Sequence, residues 1–328
     1  MDNYKKKTIN FLEIKSSDFC KQNNIKLEII IDSIDEFNAT VEKIGSREYK
    51  IKIYSGCLHI DHCIEKMTRR YNEDDLQTFF RFKDLSVFER YENTYREELN
   101  NLFSMIILLH IFWHEVGHIC AGHVDVLHEY IEFDSSAIGG YFKQEQEMVA
   151  DWLSTKSVFK QIYFDTIHGK VKDSNELIIA LKQLVVLYWI SLTIEFQIAD
   201  LKSTSDVSDF SELKHPYPAV RLLYSIEAMG EAIMDIFNNY GLDDNDAEKA
   251  MELIVNDIYI IIDSFLQITD CPIDIKKGES RVIECYKILR ELPYSDEYET
   301  NDFLHLLQLD DSYLEQINYF LGENIFKI

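Results

Sequence analysis

The sequence predicts an α+β protein that is predominantly helical, with a small N-terminal antiparallel sheet and a helical C-terminal region. Glycine and proline are scarce, at 11 and 4 of 328 residues, whereas an average protein has roughly 12% of the two together. This scarcity disfavours turn-rich all-β and collagen-like folds. Apolar residues recur with helical spacing from about residue 60 almost to the end, and strand-like alternation is confined to the first 60 residues.

The first 60 residues predict one helix followed by three strands. Residues 8–22 have helical periodicity, and residues 26–31 and 37–44 have the β-branched, apolar character of strands. After a turn at Gly45, residues 49–54 alternate with period two, so that one face is apolar and the other cationic, which indicates a half-buried strand. We expect this last strand to be an edge that pairs with an extended substrate. An interior hairpin strand is the alternative.

Beyond residue 60 the predicted helices are separated by short breaks. No linker rich in proline or glycine marks a domain boundary, so the boundaries are drawn from the change in periodicity and from the motifs below. We predict an N-terminal α/β subdomain over residues 1–90, a catalytic core over 91–225 and a helical C-terminal region over 226–328. The helix breaks are expected at 134–140, at Gly169, at 203–218, at Gly241 and at 270–277.

Charge and cysteine usage restrict the possible partners and location. The net charge of −25 repels phosphate backbones and anionic lipids, so no nucleic-acid or membrane partner is expected. The six cysteines have no paired spacing and are predicted to be free thiols in a reducing compartment. Residues 105–113 are too short to span a membrane, and residues 177–194 are interrupted by Lys182 and Gln183. No secretion signal is visible, so we expect a cytoplasmic protein. The oligomeric state is left open.

A His-Glu-x-x-His pattern, His114-Glu115-Val116-Gly117-His118, lies near the end of a strongly apolar predicted helix. At 100° per residue the two histidines are about 40° apart and roughly 6 Å along the axis, so both imidazoles can reach one metal ion. Zn²⁺ held this way needs one more protein ligand and keeps a position for a water whose pKa falls towards 7. Glu115 is then placed to accept that water's proton. The alternative, two structural histidines, requires the three polar side chains to be desolvated on an apolar helix without a partner.

The third ligand is expected on the next helix. Glu147 and Asp151 have the i, i+4 spacing that places two carboxylates on one helix face. One carboxylate can bind zinc while the other accepts a hydrogen bond from the second ring nitrogen of a ligand histidine. We therefore predict Glu147 as the ligand and Asp151 as the supporting group. Glu145 is the nearest competitor and is expected to point to a different face.

Other candidate residues have ordinary structural alternatives. His123 follows a predicted helix end at Gly122, and we interpret it as structural rather than as a ligand. The segment 57–63 contains cysteine and histidine, but its spacing matches no paired zinc knuckle and indicates a strand-to-helix junction. His215 and Arg221 flank the start of a later helix and could donate hydrogen bonds to the oxyanion formed when water attacks a carbonyl. The alternative for that segment is a rigid entry turn made by its prolines.

HEVGH followed by EMVAD resembles the gluzincin signature, HExxH plus ExxxD, of thermolysin-like and related zinc peptidases. It is similar to the HtpX heat-shock and CAAX-prenyl protease group, whose His-Pro-x-x-x-x-Arg-like segment is matched here by residues 215–221. The string HEVGHICAGH also resembles soluble ImmA/IrrE-like gluzincins and Lit-type phage-exclusion proteases. The resemblance covers about residues 90–225 and implies a zincin-like core. It further implies zinc ligands at His114, His118 and Glu147, a general base at Glu115, support from Asp151 and a transition-state donor at His215.

The sequence therefore predicts a zinc-dependent endopeptidase that cleaves a protein or peptide substrate through a metal-activated water. A narrow-target regulatory or phage-defence protease is one form of this expectation. The alternative is a catalytically idle zincin scaffold that acts as a protein-binding regulatory module. The intact ligand set with Glu115 argues against the scaffold, because a structural zinc usually has four protein ligands.

Overall fold

The computed structural model describes residues 2–60, 64–65, 95–126, 137–200, 218–243 and 245–254. It is mostly helical, with a small three-stranded sheet near the N-terminus. The predicted first helix and three strands are confirmed, with their ends shifted by a few residues. The elements are α1 (Asp2–Asn23), β1 (Lys26–Asp32), β2 (Ala39–Gly45), β3 (Glu48–Tyr54), α2 (Tyr95–Cys120), α3 (His123–Val126), α4 (Ala137–Thr166), α5 (Ser174–Asp200) and α6 (Pro218–Tyr240).

The sheet is mixed, so the predicted antiparallel sheet is wrong. Its strand order is β1-β3-β2, with β1 parallel to β3 and β2 antiparallel to β3. The hairpin at Ser46-Arg47 makes β2 and β3 antiparallel. β1 instead pairs with the far side of β3, in a register that runs from Lys26 opposite Glu48 to Asp32 opposite Tyr54. Alternation along a strand reports which face is buried and carries no information about which neighbour lies beside it.

The strand predicted to be a substrate-binding edge is the central strand of the sheet, and that expectation is wrong. β3 is hydrogen-bonded on one side to β1 and on the other to β2, so its backbone groups are already paired. Its buried face carries Tyr49, Ile51 and Ile53. The lysines of the opposite face bind carboxylates of both neighbours, since Lys50 lies 3.5 Å from Glu28 and Lys52 lies 3.1 Å from Glu42.

The sheet and the helices share one hydrophobic core. α1 packs on β1 and also reaches α2, where the rings of Phe19 and Trp113 meet edge to face with centroids 5.6 Å apart. α2 packs against α4, α5 and the sheet, and α6 packs against α4 and α5. α6 runs through the boundary predicted at residue 225, which therefore does not coincide with a break between elements.

The helix breaks predicted at Gly169 and Gly241 are confirmed, and so is the helix end predicted at Gly122. Gly122, Gly169 and Gly241 have positive φ values of 71°, 74° and 87°, a backbone region that residues with a Cβ rarely adopt. Each of these glycines follows the end of a helix. The break predicted at 134–140 is wrong for residues 137–140, which form the first turn of α4, and residues 134–136 lie outside the described residues. Of the break predicted at 203–218 the structure describes Pro218, where α6 begins. The break predicted at 270–277 lies outside the described residues.

Two helices are long and apolar enough to cross a membrane by length and composition. They contain Leu99–Cys120 of α2 and Ser174–Phe196 of α5, and 72% and 78% of their most apolar windows are buried inside the protein. Core helices of soluble proteins have the same properties, so these helices are weak evidence for a membrane span. The cytoplasmic location stays a prediction.

Candidate metal centre

The two histidines of the motif share one face of α2, as the spacing predicts. Their rings meet edge to face with centroids 4.8 Å apart, and their Nε2 atoms are 3.1 Å apart. His114 and Glu115 are buried, at 8% and 7% exposed, and His118 is half-buried. The surrounding helix is apolar, and Phe112, Trp113 and Val116 are buried beside the motif. The site is thus a polar group enclosed in a hydrophobic helix.

α4 brings Glu147 to these two imidazoles. The Glu147 Oε2 atom lies 3.3 Å from Nε2 of His114, and its Oε1 atom lies 3.5 Å from Nε2 of His118. Among the described residues, His114, His118 and Glu147 form the one group of three or more potential ligands close enough to hold a metal ion. The predicted cluster is confirmed as geometry. The Glu145 side chain is outside the described residues.

A glycine lets the two helices approach closely enough for this cluster to form. A Cβ atom added to Gly117, inside the histidine motif, would lie 3.0 Å from the backbone of Ala150 on α4. Such a distance is tighter than most contacts that Cβ atoms make. Gly117 and Ala150 lie in HEVGH and EMVAD, so the small residues of both motifs meet at the crossing of α2 and α4.

Polar residues of α2 and α4, which run antiparallel, face each other in pairs that are spaced one helical turn apart. His118 faces Glu147, His114 faces Asp151, and His110 faces Thr155, with 3.4 Å between His110 Nε2 and the Thr155 hydroxyl. His110 was not identified from the sequence. It is fully buried and its Nδ1 donates a hydrogen bond of 2.9 Å to Glu195 of α5. Its spacing of four residues before His114 was the available signal.

Asp151 supports His114, as predicted, and it is itself held by Arg221. Nδ1 of His114 donates to Asp151 Oδ1 at 2.8 Å, which leaves Nε2 facing the cluster. The Arg221 guanidinium donates two hydrogen bonds of 2.6 Å to the same carboxylate and stacks 4.3 Å from the ring centroid of Phe196. The alternative of Arg221 as an oxyanion donor is not favoured, because its guanidinium binds Asp151. The link between Arg221 and Asp151 was missed from the sequence.

The charges around His114 favour a cation at this point. Burial alone lowers the pKa of His114, but the Asp151 carboxylate, with a further contribution from Glu147, raises that pKa to about 10. Burial opposes ionisation of Asp151, yet Arg221 and then His114 hold its pKa well below the usual range. The two carboxylates therefore stabilise positive charge on the His114 ring, Asp151 from the Nδ1 side and Glu147 from the Nε2 side. A divalent cation bound there would supply such a charge, so the donor set fits a metal ion.

His123 contacts a ligand histidine and is not part of the three-residue cluster. Its Nδ1 atom lies 2.8 Å from Nδ1 of His118, and the side chain is 3% exposed. Burial, followed by the nearby His118, lowers the pKa of His123 to about 3, so its ring is neutral. That His123 is not a metal ligand stays a prediction.

Two other sequence predictions concern residues that are wholly or partly outside the described part of the chain. His215 is among the residues that the structure does not describe. In the segment 57–63, Cys57 is buried with its Sγ donating to the Asn38 carbonyl at 3.2 Å, and His59 is exposed. Cys63 lies outside the described residues. The described part of this segment contains no metal-binding group.

Comparisons of the chain with protein-family models, with curated proteins and with solved structures find no match. The gluzincin resemblance therefore rests on the motifs and on the geometry of the three ligands.

Proposed function

We propose that the chain is a zinc-dependent endopeptidase with a zincin-like catalytic core. The observation that carries the proposal is the closeness of the three potential ligands. The two Nε2 atoms are 3.1 Å apart, and Glu147 places Oε2 3.3 Å from the Nε2 of His114 and Oε1 3.5 Å from the Nε2 of His118. Ligands that bind Zn²⁺ tetrahedrally at about 2.0–2.2 Å lie roughly 3.3–3.6 Å apart, close to these values. Two imidazoles and one carboxylate are also a donor set that catalytic zinc sites use.

The number of protein ligands favours a catalytic centre over a structural one. Structural zinc is almost always bound by four protein side chains, whereas catalytic zinc is bound by three and keeps a position for water. Three ligands are grouped within the described residues. A bound Zn²⁺ would lower the pKa of water and polarise the carbonyl of the scissile peptide bond.

Glu115 is the proposed general base. It follows the first ligand histidine directly in the sequence, and its side chain is buried. In the proposed reaction, water adds to the carbonyl carbon and Glu115 accepts the proton that the water loses. The C–N bond then breaks, and Glu115 returns the proton to the leaving amine. His215 remains the proposed donor to the oxyanion, a role that rests on the family resemblance.

The substrate is proposed to be an extended peptide that pairs with β2. Within the described residues β2 is an edge strand, and it packs near α2 and α3, on which the histidines lie. The other edge strand, β1, packs against α1. Pairing with a sheet edge gives affinity through main-chain hydrogen bonds. A cytoplasmic location without nucleic-acid or membrane partners remains part of the proposal.

The proposal is tested by comparing the wild-type protein with the Glu115→Gln variant. Both proteins should bind one zinc ion per chain, measured by elemental analysis, because residue 115 is not a ligand. The wild type should cleave members of a diverse peptide library, and the variant should be about 100- to 10,000-fold slower because it lacks the base. Cleavage products are identified by mass spectrometry.

Two outcomes would contradict the endopeptidase proposal. If both proteins bind one zinc ion and cleave neither the library nor intact proteins of a cell extract, the regulatory scaffold is favoured. If the variant cleaves as fast as the wild type, Glu115 is not the base. Inactivity on casein together with cleavage of a single protein of the extract would support the narrow-target form of the proposal.

A further inference from the structure

The His118–His123 pair has a hydrogen-bond direction that the ligand cluster determines. The two Nδ1 atoms are 2.8 Å apart, so one ring must donate and the other must accept. Nε2 of His118 lies in the cluster, 3.5 Å from Glu147 and 3.1 Å from Nε2 of His114. A metal ligand needs a free lone pair at this nitrogen, so a His118 ring that binds a metal through Nε2 has its proton on Nδ1. His118 therefore donates, and Nδ1 of His123 accepts.

The helix end at Gly122 brings His123 back to His118. In a continuous helix, residues five apart lie about 140° from each other around the axis and do not meet. Gly122 has φ of 71°, and its N–H donates to the Ile119 carbonyl at 3.1 Å, so α2 ends and α3 begins at His123. The turn places the His123 ring with its centroid 5.1 Å from that of His118.

We propose that His123 is a positioning residue of the metal centre, which holds His118 through the Nδ1 hydrogen bond in the tautomer and orientation that aim Nε2 at the metal. The inference rests on the metal centre of the proposed function. The ring nitrogen of a ligand histidine that does not bind the metal commonly donates to a carboxylate, a backbone carbonyl or water. Loss of that acceptor weakens metal affinity by about 10- to 100-fold. Here an imidazole takes that role.

The two ligand histidines are thus supported by partners of different charge. His114 is supported by the Asp151 carboxylate, whose charge is balanced by Arg221. His118 is supported by an uncharged ring, which adds no negative charge to the cluster. Among the three ligands and the residues that support the two histidines, Glu147 then carries the one negative charge that no positive side chain balances. A neutral acceptor orients His118 without reducing the positive charge that a bound cation retains for catalysis.

The inference is tested by measuring zinc affinity in competition with a chromophoric chelator. His123→Phe keeps a buried ring but removes the acceptor, and we expect the affinity to fall by about 10- to 100-fold. His123→Asn places an amide oxygen near the position of Nδ1, and we expect its affinity to stay within about threefold of the wild type. The thermal midpoint of the metal-free protein is measured for each variant.

A purely structural role would lower the metal-free midpoint of His123→Phe and leave its zinc affinity unchanged, and this result would overturn the inference. Equal losses of affinity in the Phe and Asn variants would also overturn it. If wild-type protein binds no zinc, the metal centre and the proposed function fail together. Wild-type binding with unchanged affinity in His123→Phe defeats the inference alone.

The tautomer of His118 in the wild type provides a test that needs no variant of His123. With ¹⁵N-labelled histidine in the metal-free protein, the correlation spectrum should show His118 with its proton on Nδ1, coupled across the hydrogen bond to His123. Assignment uses the loss of one signal set in His118→Gln. A proton on Nε2 of His118 would contradict the inference even if His123→Phe does not fold.

Discussion

Each imidazole of the ligand pair uses both of its nitrogen atoms. Nε2 of His114 and of His118 faces the cluster, while their Nδ1 atoms bind Asp151 and His123. Buried polar atoms need such partners, because an unpaired group costs about 1–3 kcal/mol. These two hydrogen bonds also fix the orientations of the imidazole rings before a metal ion binds, so metal binding has to order the side chains less.

Glu147→Gln tests the identity of the third ligand. The change keeps the shape of the side chain but removes the charge that zinc prefers, so zinc affinity should fall by at least about 100-fold, more than for loss of an outer partner. The measurement is a competition titration with a chelator. Glu145→Gln on the same helix is the matched control and should bind zinc like the wild type. A greater loss of affinity in the control would assign the third ligand to Glu145.

The Asp151–Arg221 pair should be strongly coupled in the stability of the metal-free protein. Asp151→Asn leaves the buried Arg221 guanidinium without its carboxylate, and Arg221→Gln leaves the carboxylate with His114 alone. We expect each change to lower the free energy of unfolding by about 3 kcal/mol. The double variant should lose about 2 kcal/mol less than the sum of the two, measured by urea unfolding. Additive losses would show that the pair makes no net interaction.

The sequence predicted those residues of the site that lie one helical turn apart within a recognisable motif. The i, i+4 spacings of His114 with His118 and of Glu147 with Asp151 identified four residues that the structure brings together. Arg221 was assigned another role because its partner lies 70 residues away, on a helix whose packing no local period reports. His110 was missed for the same reason, since Glu195 is 85 residues distant.

At the scale of elements, the crossing of α2 and α4 sets the geometry of the site. Ligands on two helices meet only if the helix axes are close, and Gly117 provides that closeness against Ala150. A small displacement at the crossing therefore moves Glu147 relative to both histidines. Gly117 therefore determines the geometry of the site although it is not a metal ligand.

Gly117→Ala should weaken both the fold and the metal centre. The added methyl group meets backbone at 3.0 Å, and overpacking of this kind costs about 1–3 kcal/mol, of which about 1 kcal/mol is recovered through helix propensity. We expect a net loss of about 1 kcal/mol in the free energy of unfolding, with a clear loss of zinc affinity. Gly230→Ala, in α6, is the control because a Cβ there has nothing within 4 Å, and it should stabilise the protein by about 1 kcal/mol. Equal stabilisation by both changes would contradict the close crossing.

Element type was more predictable from the sequence than element arrangement. Periodicity identified α1, the three strands and the helices around the motifs, since apolar residues recur at the spacing of each element type. The order β1-β3-β2 and the parallel pairing of β1 with β3 were not predicted, because strand order depends on contacts between distant segments. The edge for substrate pairing was for that reason placed on the wrong strand.

At the scale of the whole molecule, two helices apolar enough for a membrane lie mostly buried in the protein. α2 is enclosed by α1, α4, α5 and the sheet, and α5 packs against α2, α4 and α6. Burial on several sides explains an apolar composition around the whole circumference of a helix. The net charge of −25 disfavours polyanionic partners.

The most direct test of the account is a crystal structure of the zinc-loaded protein, with anomalous diffraction recorded on both sides of the zinc absorption edge. The account predicts one anomalous peak per chain, at about 2.0–2.2 Å from Nε2 of His114, Nε2 of His118 and a carboxylate oxygen of Glu147. Asp151 should bind Nδ1 of His114 and not the metal. A peak elsewhere, or a Glu147 side chain directed away from both imidazoles, would contradict the metal centre and the peptidase proposal that depends on it.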